Sequence, residues 1–191
     1  CKTGGPAHWS QAGRGALRKG LDELKERLDA IFEKHGGRVL ADPWAARDAY
    51  VRVVLDRSPG NVDAFLAEHG KGPLDEAGQV AALRSLEMQR AGMLMFTSCG
   101  WFFDDMAGLE SVQVMKYACR AARLGHALSG EDLEGPLVRS LAAGSSNQPG
   151  EGDGESIYRR RVQPLAVDLR RVAAHRAITG MFGETAADER E

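Results

Sequence analysis

Leu17-Arg18-Lys19-Gly20-Leu21-Asp22-Glu23-Leu24-Lys25-Glu26-Arg27-Leu28-Asp29-Ala30-Ile31 places apolar side chains at positions 17, 21, 24, 28 and 31, in steps of four and three. That spacing returns to one side of a 3.6-residue helix, so the stretch predicts a long amphipathic helix. The pair Gly36-Gly37 after His35 is the expected stop. The same period recurs in Val80, Leu83, Leu86, Met93 and Phe96, and again in Val112, Met115, Ala118, Ala122 and Leu124. No alternating apolar and polar run is long enough to read as a strand. The expected class is therefore all-α, a multi-helix bundle.

Working outward, Asp42-Pro43 supplies a capping carboxylate and a proline suited to the first helical position, and predicts a helix through Tyr50, Val54 and Leu55. Ser58-Pro59 repeats the start signal ahead of a short helix from about Asn61 to Glu68, and 69–73 reads as a turn. Asp75 can cap the helix that leads to Phe96. Further helices are expected over about 110–128 and 131–142. The stretch 144–154, rich in Gly, Ser, Asn and Pro, reads as a flexible loop. A last helix is expected from about Glu155, carrying Tyr158, Val162, Leu165, Leu169, Val172 and Ile178, with a kink at Pro164. The organisation expected is a single helical domain over 1–183 and a disordered tail over 184–191.

Of the 191 residues, 43% are hydrophobic, enough for a substantial core, and the net charge is −2. That balance offers no basic field for nucleic acid or an anionic membrane, and no apolar run reaches the roughly 20 residues of a spanning helix. The first residues lack the apolar segment of a secretion signal, and without an initiator Met the chain is expected to begin inside a longer polypeptide. The three cysteines, Cys1, Cys99 and Cys119, suit a reducing cytoplasm, and Cys99 and Cys119 are expected as small buried hydrophobes. Their spacing matches no zinc pattern, and no phosphate-cradling glycine loop or nucleophile elbow is present, so neither metal nor cofactor is expected.

Between the second and third apolar stretches lies Thr97-Ser98-Cys99-Gly100-Trp101-Phe102-Phe103-Asp104-Asp105. Three aromatics and two carboxylates exceed what a simple turn uses, which makes this break a candidate binding site. With Leu86-Glu87-Met88-Gln89-Arg90 before it and Gln113-Val114 and Tyr117-Ala118 after it, the break resembles a known helical region. Supporting stretches are Thr3-Gly4-Gly5, Trp9-Ser10-Gln11, Asp42-Pro43-Trp44-Ala45-Ala46-Arg47-Asp48, Gly152-Asp153-Gly154, Ile157-Tyr158 and Val172-Ala173-Ala174-His175. Together they resemble the C-terminal helical domain (domain of unknown function 3536) of glycoside hydrolase family 57-like proteins. The chain departs from that pattern at Ser10 and Lys2, where the family favours Asn and His.

The resemblance implies that a tryptophan of the helical region borders the carbohydrate cleft, which selects Trp101: an indole matches the C–H face of a pyranose and its N–H can meet a hydroxyl. Ser98, Asp104 and Asp105 are candidate sugar contacts beside it, and Trp9 with Gln11 a second polar-aromatic rim. By periodicity alone Trp101 reads as a core aromatic closing the bundle, and the resemblance reverses that; Phe102 and Phe103 are expected in the core, and Trp44 reads as packing. Asp104 and Asp105 are adjacent, so they cannot face each other across a sugar at the roughly 5–10 Å a glycosidase pair needs; capping the next helix is their other role. Glu87, Gln89 and Arg90 are expected to support the break, and His126 and His175 to be satisfied or surface histidines. The catalytic glutamate and aspartate of family 57 belong to a barrel upstream. The expected function is therefore to line the cleft for an α-glucan or mannan and to buttress that barrel, without hydrolysis by this chain alone. A protein-interaction or scaffold bundle is the alternative.

Overall fold

The computed structural model describes residues 5, 6, 8–102, 105–167 and 169–181. It is all-helical: among these residues there is no β-strand, and only two isolated bridges occur, Leu40 with Gly70 and Ser145 with Asp153. None of its helices is long and apolar enough to cross a membrane.

The centre is a three-helix layer. α1 (Ala12–Ile31) buries Leu17, Leu21, Leu24, Leu28 and Ile31, the stripe read from its spacing. Each such leucine removed from water contributes about 1.5–3 kcal/mol. α5 (Glu76–Leu94) and α6 (Leu109–Ser129) form an antiparallel pair across the aromatic break, and α1 lies against both. Small residues permit the approach: a Cβ on Gly125 would stand 2.5 Å from Leu133 and 3.1 Å from Leu28. α7 (Glu134–Leu141) closes the far side of α1 with Leu137, Val138 and Leu141. α8 (Gly154–Arg161) adds Ile157 and Tyr158 to the same core.

Side-chain caps fix three helix starts: Asp42 accepts from Ala45 N at 3.0 Å, Asp75 from Gly78 N at 2.8 Å and Asp153 from Ser156 N at 2.8 Å. Gly130, at φ 77°, adopts the left-handed turn that ends α6.

Several expectations are corrected. The helical run of α1 ends at its glycine pair as expected, but it does so through a π-turn over Phe32–Gly36, and Gly37 keeps a right-handed φ of −64°. The helix from Pro43 is interrupted at Tyr50, giving α2 (Pro43–Ala49) and α3 (Val51–Leu55), because the Tyr50 ring is drawn inward against Phe65. α4 spans Pro59–His69, but Ser58 makes no side-chain cap; Asp56 accepts from Ser58 N at 2.8 Å instead. α7 begins three residues later than expected, where Asp132 accepts from Gly135 N.

Pro164 breaks the last helix rather than kinking it. A 3-10 turn, Gln163–Leu165, follows α8, and α9 (Leu169–Met181) then stands outside the core. Leu165, Val172 and Ile178, expected on one helix with Tyr158 and Val162, are all exposed, whereas Tyr158 and Val162 are buried. The tail 184–191 lies outside the described residues.

Candidate functional site

The aromatic break leaves α5 through a backbone bond from Thr97 N to Leu94 O and coils into a 3-10 turn over Ser98–Trp101. Gly100 is buried flat against α6: a Cβ there would lie 2.4 Å from Cγ2 of Val114. That contact aims the next two side chains. Trp101 is half-buried, and the Arg18 guanidinium of α1 sits 5.9 Å from its ring and 5.2 Å from the ring of Phe96. Phe102, expected in the core, is instead 67% exposed. Ser98 and Cys99 are exposed too, so Cys99 is not the small buried hydrophobe expected. Phe103 and Asp104 lie outside the described residues.

Asp105 has the opposite environment. It is 5% exposed and its carboxylate accepts from Ala107 N at 2.8 Å, from Ser146 Oγ at 2.8 Å and from Asn147 N. These donors occupy it, so it presents no free oxygen to a ligand and ties the break to the 144–154 stretch. That stretch is itself hydrogen-bonded as a narrow loop, Ser146 N to Gly152 O and Gly154 N to Gly144 O. Asn147 continues the chain of contacts: its Nδ2 donates to Ser10 O and its Oδ1 accepts from Ser10 N, both at 2.9 Å. Trp9 is half-buried, folded over Gly5, whose missing side chain leaves room for the indole. Gln11 precedes α1 as its capping residue and is half-buried. Arg161 closes the arrangement by donating to Ala107 O at 2.8 Å and pairing with Glu151.

The loop between α7 and α8 thus ties Ser10, between Trp9 and Gln11, to Asp105, at the end of the break, on one end of the bundle. The chain belongs to the family Domain of unknown function (DUF3536), whose model matches residues 9–191. The match takes in every part of this end that the structure describes from Trp9 onward. Comparison of the DUF3536 chain with curated proteins and with solved structures returns no match.

Elsewhere in the DUF3536 chain, Glu87 and Gln89 do not support the break. Gln89 is fully buried and donates to Asp29 of α1 at 2.8 Å. Glu87, on α5, accepts from Tyr50 Oη at 3.0 Å and Arg57 at 2.7 Å on one oxygen, with Arg90 at 3.2 Å and Arg120 at 3.8 Å on the other. Burial pushes its carboxyl up, but the bonds from Arg57 and Tyr50 and the charges of Arg57 and Arg90 together hold it below the usual carboxylate value. Burial, with Glu87 beside it, raises the Tyr50 phenol.

Trp44 packs its edge on Phe32, and Arg47 pairs with its neighbour Asp48 while lying over the Trp44 ring. His126 meets the Glu131 carbonyl at 2.9 Å, and both His126 and His175 are exposed. Cys119 is buried, which raises its thiol. Among the described residues no group of three His, Cys, Asp or Glu side chains is placed to hold a metal ion.

Sequence reasoning missed Arg18, Ser146 and Asn147, which assemble this end. Their signal was faint: Asn147 sits in a stretch whose composition reads as solvent-exposed turn.

Proposed function

We propose that this chain is the helical domain bordering the carbohydrate cleft of a glycoside hydrolase family 57-like protein, with Trp101 as an aromatic wall for an α-glucan or mannan chain. The bundle buttresses a catalytic barrel carried by other residues and does not hydrolyse glycan alone. One observation supports this above the rest: Trp101 is seated on the core yet only half-buried, next to an exposed Phe102, in a segment whose end is fixed by the buried Asp105 through Ala107, Ser146 and Asn147. Pyranose stacking requires an aromatic held in place with part of its surface still reachable, which a half-buried indole supplies. Ser98 offers a hydroxyl next to it, and Trp9 and Gln11 add a second aromatic and polar element at the same end.

The test is calorimetric titration with malto- and manno-oligosaccharides, alongside Trp101→Ala with its helicity checked by circular dichroism. Saturable heat lost in the variant is the expected result. Heat that is unchanged in the variant overturns the role of Trp101.

A second reading is favoured by the exposure of Val167, Val172, Ile178 and Met181 around α9, which suits a bundle that docks a protein partner. It predicts association on sedimentation that is lost when Val172 and Ile178 are made polar, with glycan titrations silent.

A further inference from the structure

A concavity lies on the opposite side of the α5–α6 pair's midpoint from the break, between α3, α4, α5 and α6, with a volume of about 380 Å³. It falls within the ~300–1,000 Å³ range of small-ligand sites. Val53, Val62, Val80, Leu83 and Leu124 form its apolar lining, and Val80 is 45% exposed although it sits on a helix whose other face is core. Arg57, Arg84 and Arg120 line it as well, and Glu87 is its one acidic lining residue.

The charges do not balance. Glu87 satisfies Arg57 and Arg90 at hydrogen-bond distance and leaves Arg120 at 3.8 Å, a loose pair whose arginine side chain is 58% exposed. Arg84, one turn earlier on α5 and half-buried, has no hydrogen-bond or ion-pair partner among the described residues. Its guanidinium nitrogens are not buried away from water, so an anion entering the groove can reach them. Tyr50 donates its hydroxyl to Glu87, which holds that carboxylate on the inner side of the cluster.

We infer that this groove binds a small amphipathic anion, its apolar body on Leu83, Leu124 and Val80 and its carboxylate or phosphate head on Arg84 and Arg120. Arginine presents two parallel N–H groups to either head, so the two chemistries share one site. The aliphatic lining excludes a fully hydrophilic anion as the preferred ligand, and the excess of arginine over glutamate excludes a cationic one. This inference is independent of the carbohydrate reading: it uses none of the residues of the aromatic break, and either can fail alone.

The experiment is a titration of the full chain with octanoate, octyl phosphate, neutral octanamide and inorganic phosphate, followed by amide chemical shifts. Octanoate and octyl phosphate are expected to saturate and to shift Leu83, Arg84, Arg120 and Leu124. Octanamide and inorganic phosphate, each lacking one half of the ligand, should bind at least about tenfold more weakly. Arg84→Gln and Arg120→Gln should each weaken both anionic probes by about tenfold while leaving octanamide unchanged. Leu83→Ser should weaken octanoate without affecting inorganic phosphate. The preference between octanoate and octyl phosphate identifies which head the site takes. Three results overturn the inference: octanamide binding as tightly as octanoate, no saturation with either anionic probe at millimolar concentration, or arginine variants of unchanged helicity that bind both anions as the parent does.

Discussion

Two carboxylates, Asp105 and Glu87, each join segments distant in sequence, and they do so with different donors. Asp105 takes two backbone N–H groups and a serine hydroxyl, all neutral. Glu87 takes a phenol and is surrounded by three guanidinium groups. Neutral donors saturate a carboxylate and leave a structural knot with nothing to spare. Charged donors in excess leave residual positive potential at a groove, which is a property a ligand can use. The lesson is that burial and hydrogen bonding do not by themselves mark function; the unspent charge beside the bond does.

The comparison breaks first at Asp105. Asp105→Ala leaves two backbone donors and a hydroxyl unanswered in a buried setting and should cost about 2–4 kcal/mol in chemical denaturation. The Asn147 amide should lose its protection against hydrogen exchange in the same variant. If stability is unchanged, the knot is not structural and Asp105 is free for another role.

Next is the seat of the break. Gly100→Ala forces a methyl group into Val114 and should cost about 1–3 kcal/mol, most of it recovered in the double variant with Val114→Ala. Additive costs in the two single variants would mean that the break is not held by this contact.

A smaller effect, and one that depends on pH, is expected at Glu87. Its folded-state pKa lies below the unfolded value, so its stabilisation is fully present above the unfolded carboxylate value of about 4.3 and is lost as pH falls through the folded value. Glu87→Gln should cost about 1–2 kcal/mol near pH 7 and flatten this acid limb of the stability curve. An acid limb unaltered in Glu87→Gln would assign it to other carboxylates. Arg84→Gln should move stability by no more than about 0.5 kcal/mol, since it breaks no bond. A larger loss would show that Arg84 is already spent on the fold.

Legibility from sequence followed the range of the forces involved. The α1 stripe and the caps at Asp42 and Asp75 were readable because helical period and capping act within a few residues. The break at Pro164 was read only as a kink: its missing N–H is local, but whether the following helix finds a core to pack on is not. Phe102 was misplaced for a related reason, since hydrophobicity predicts an average burial while the Gly100 contact with Val114 sets the actual direction. At the candidate site, the composition of the break drew attention to it, the resemblance selected Trp101, and Trp9 with Gln11 read as a second polar-aromatic rim. What joins them could not be found, because the bond between Ser10 and Asn147 spans most of the chain and neither residue is unusual in its own neighbourhood. The arginine groove was equally hidden, because its lining of ordinary residues is drawn together from α3, α4, α5 and α6.

The leucine face of α1 has a consequence for how the molecule is made. A ribosome releases α1 before α6 and α7 exist, yet Leu28 and Gly20 rest on those two later helices. At about 5–20 residues per second, synthesis from residue 31 to residue 141 takes roughly 5–20 s. Through that interval the nascent chain carries an uncovered apolar stripe, a ready substrate for holding chaperones and a reason for slow translation over α5 and α6 to favour aggregation.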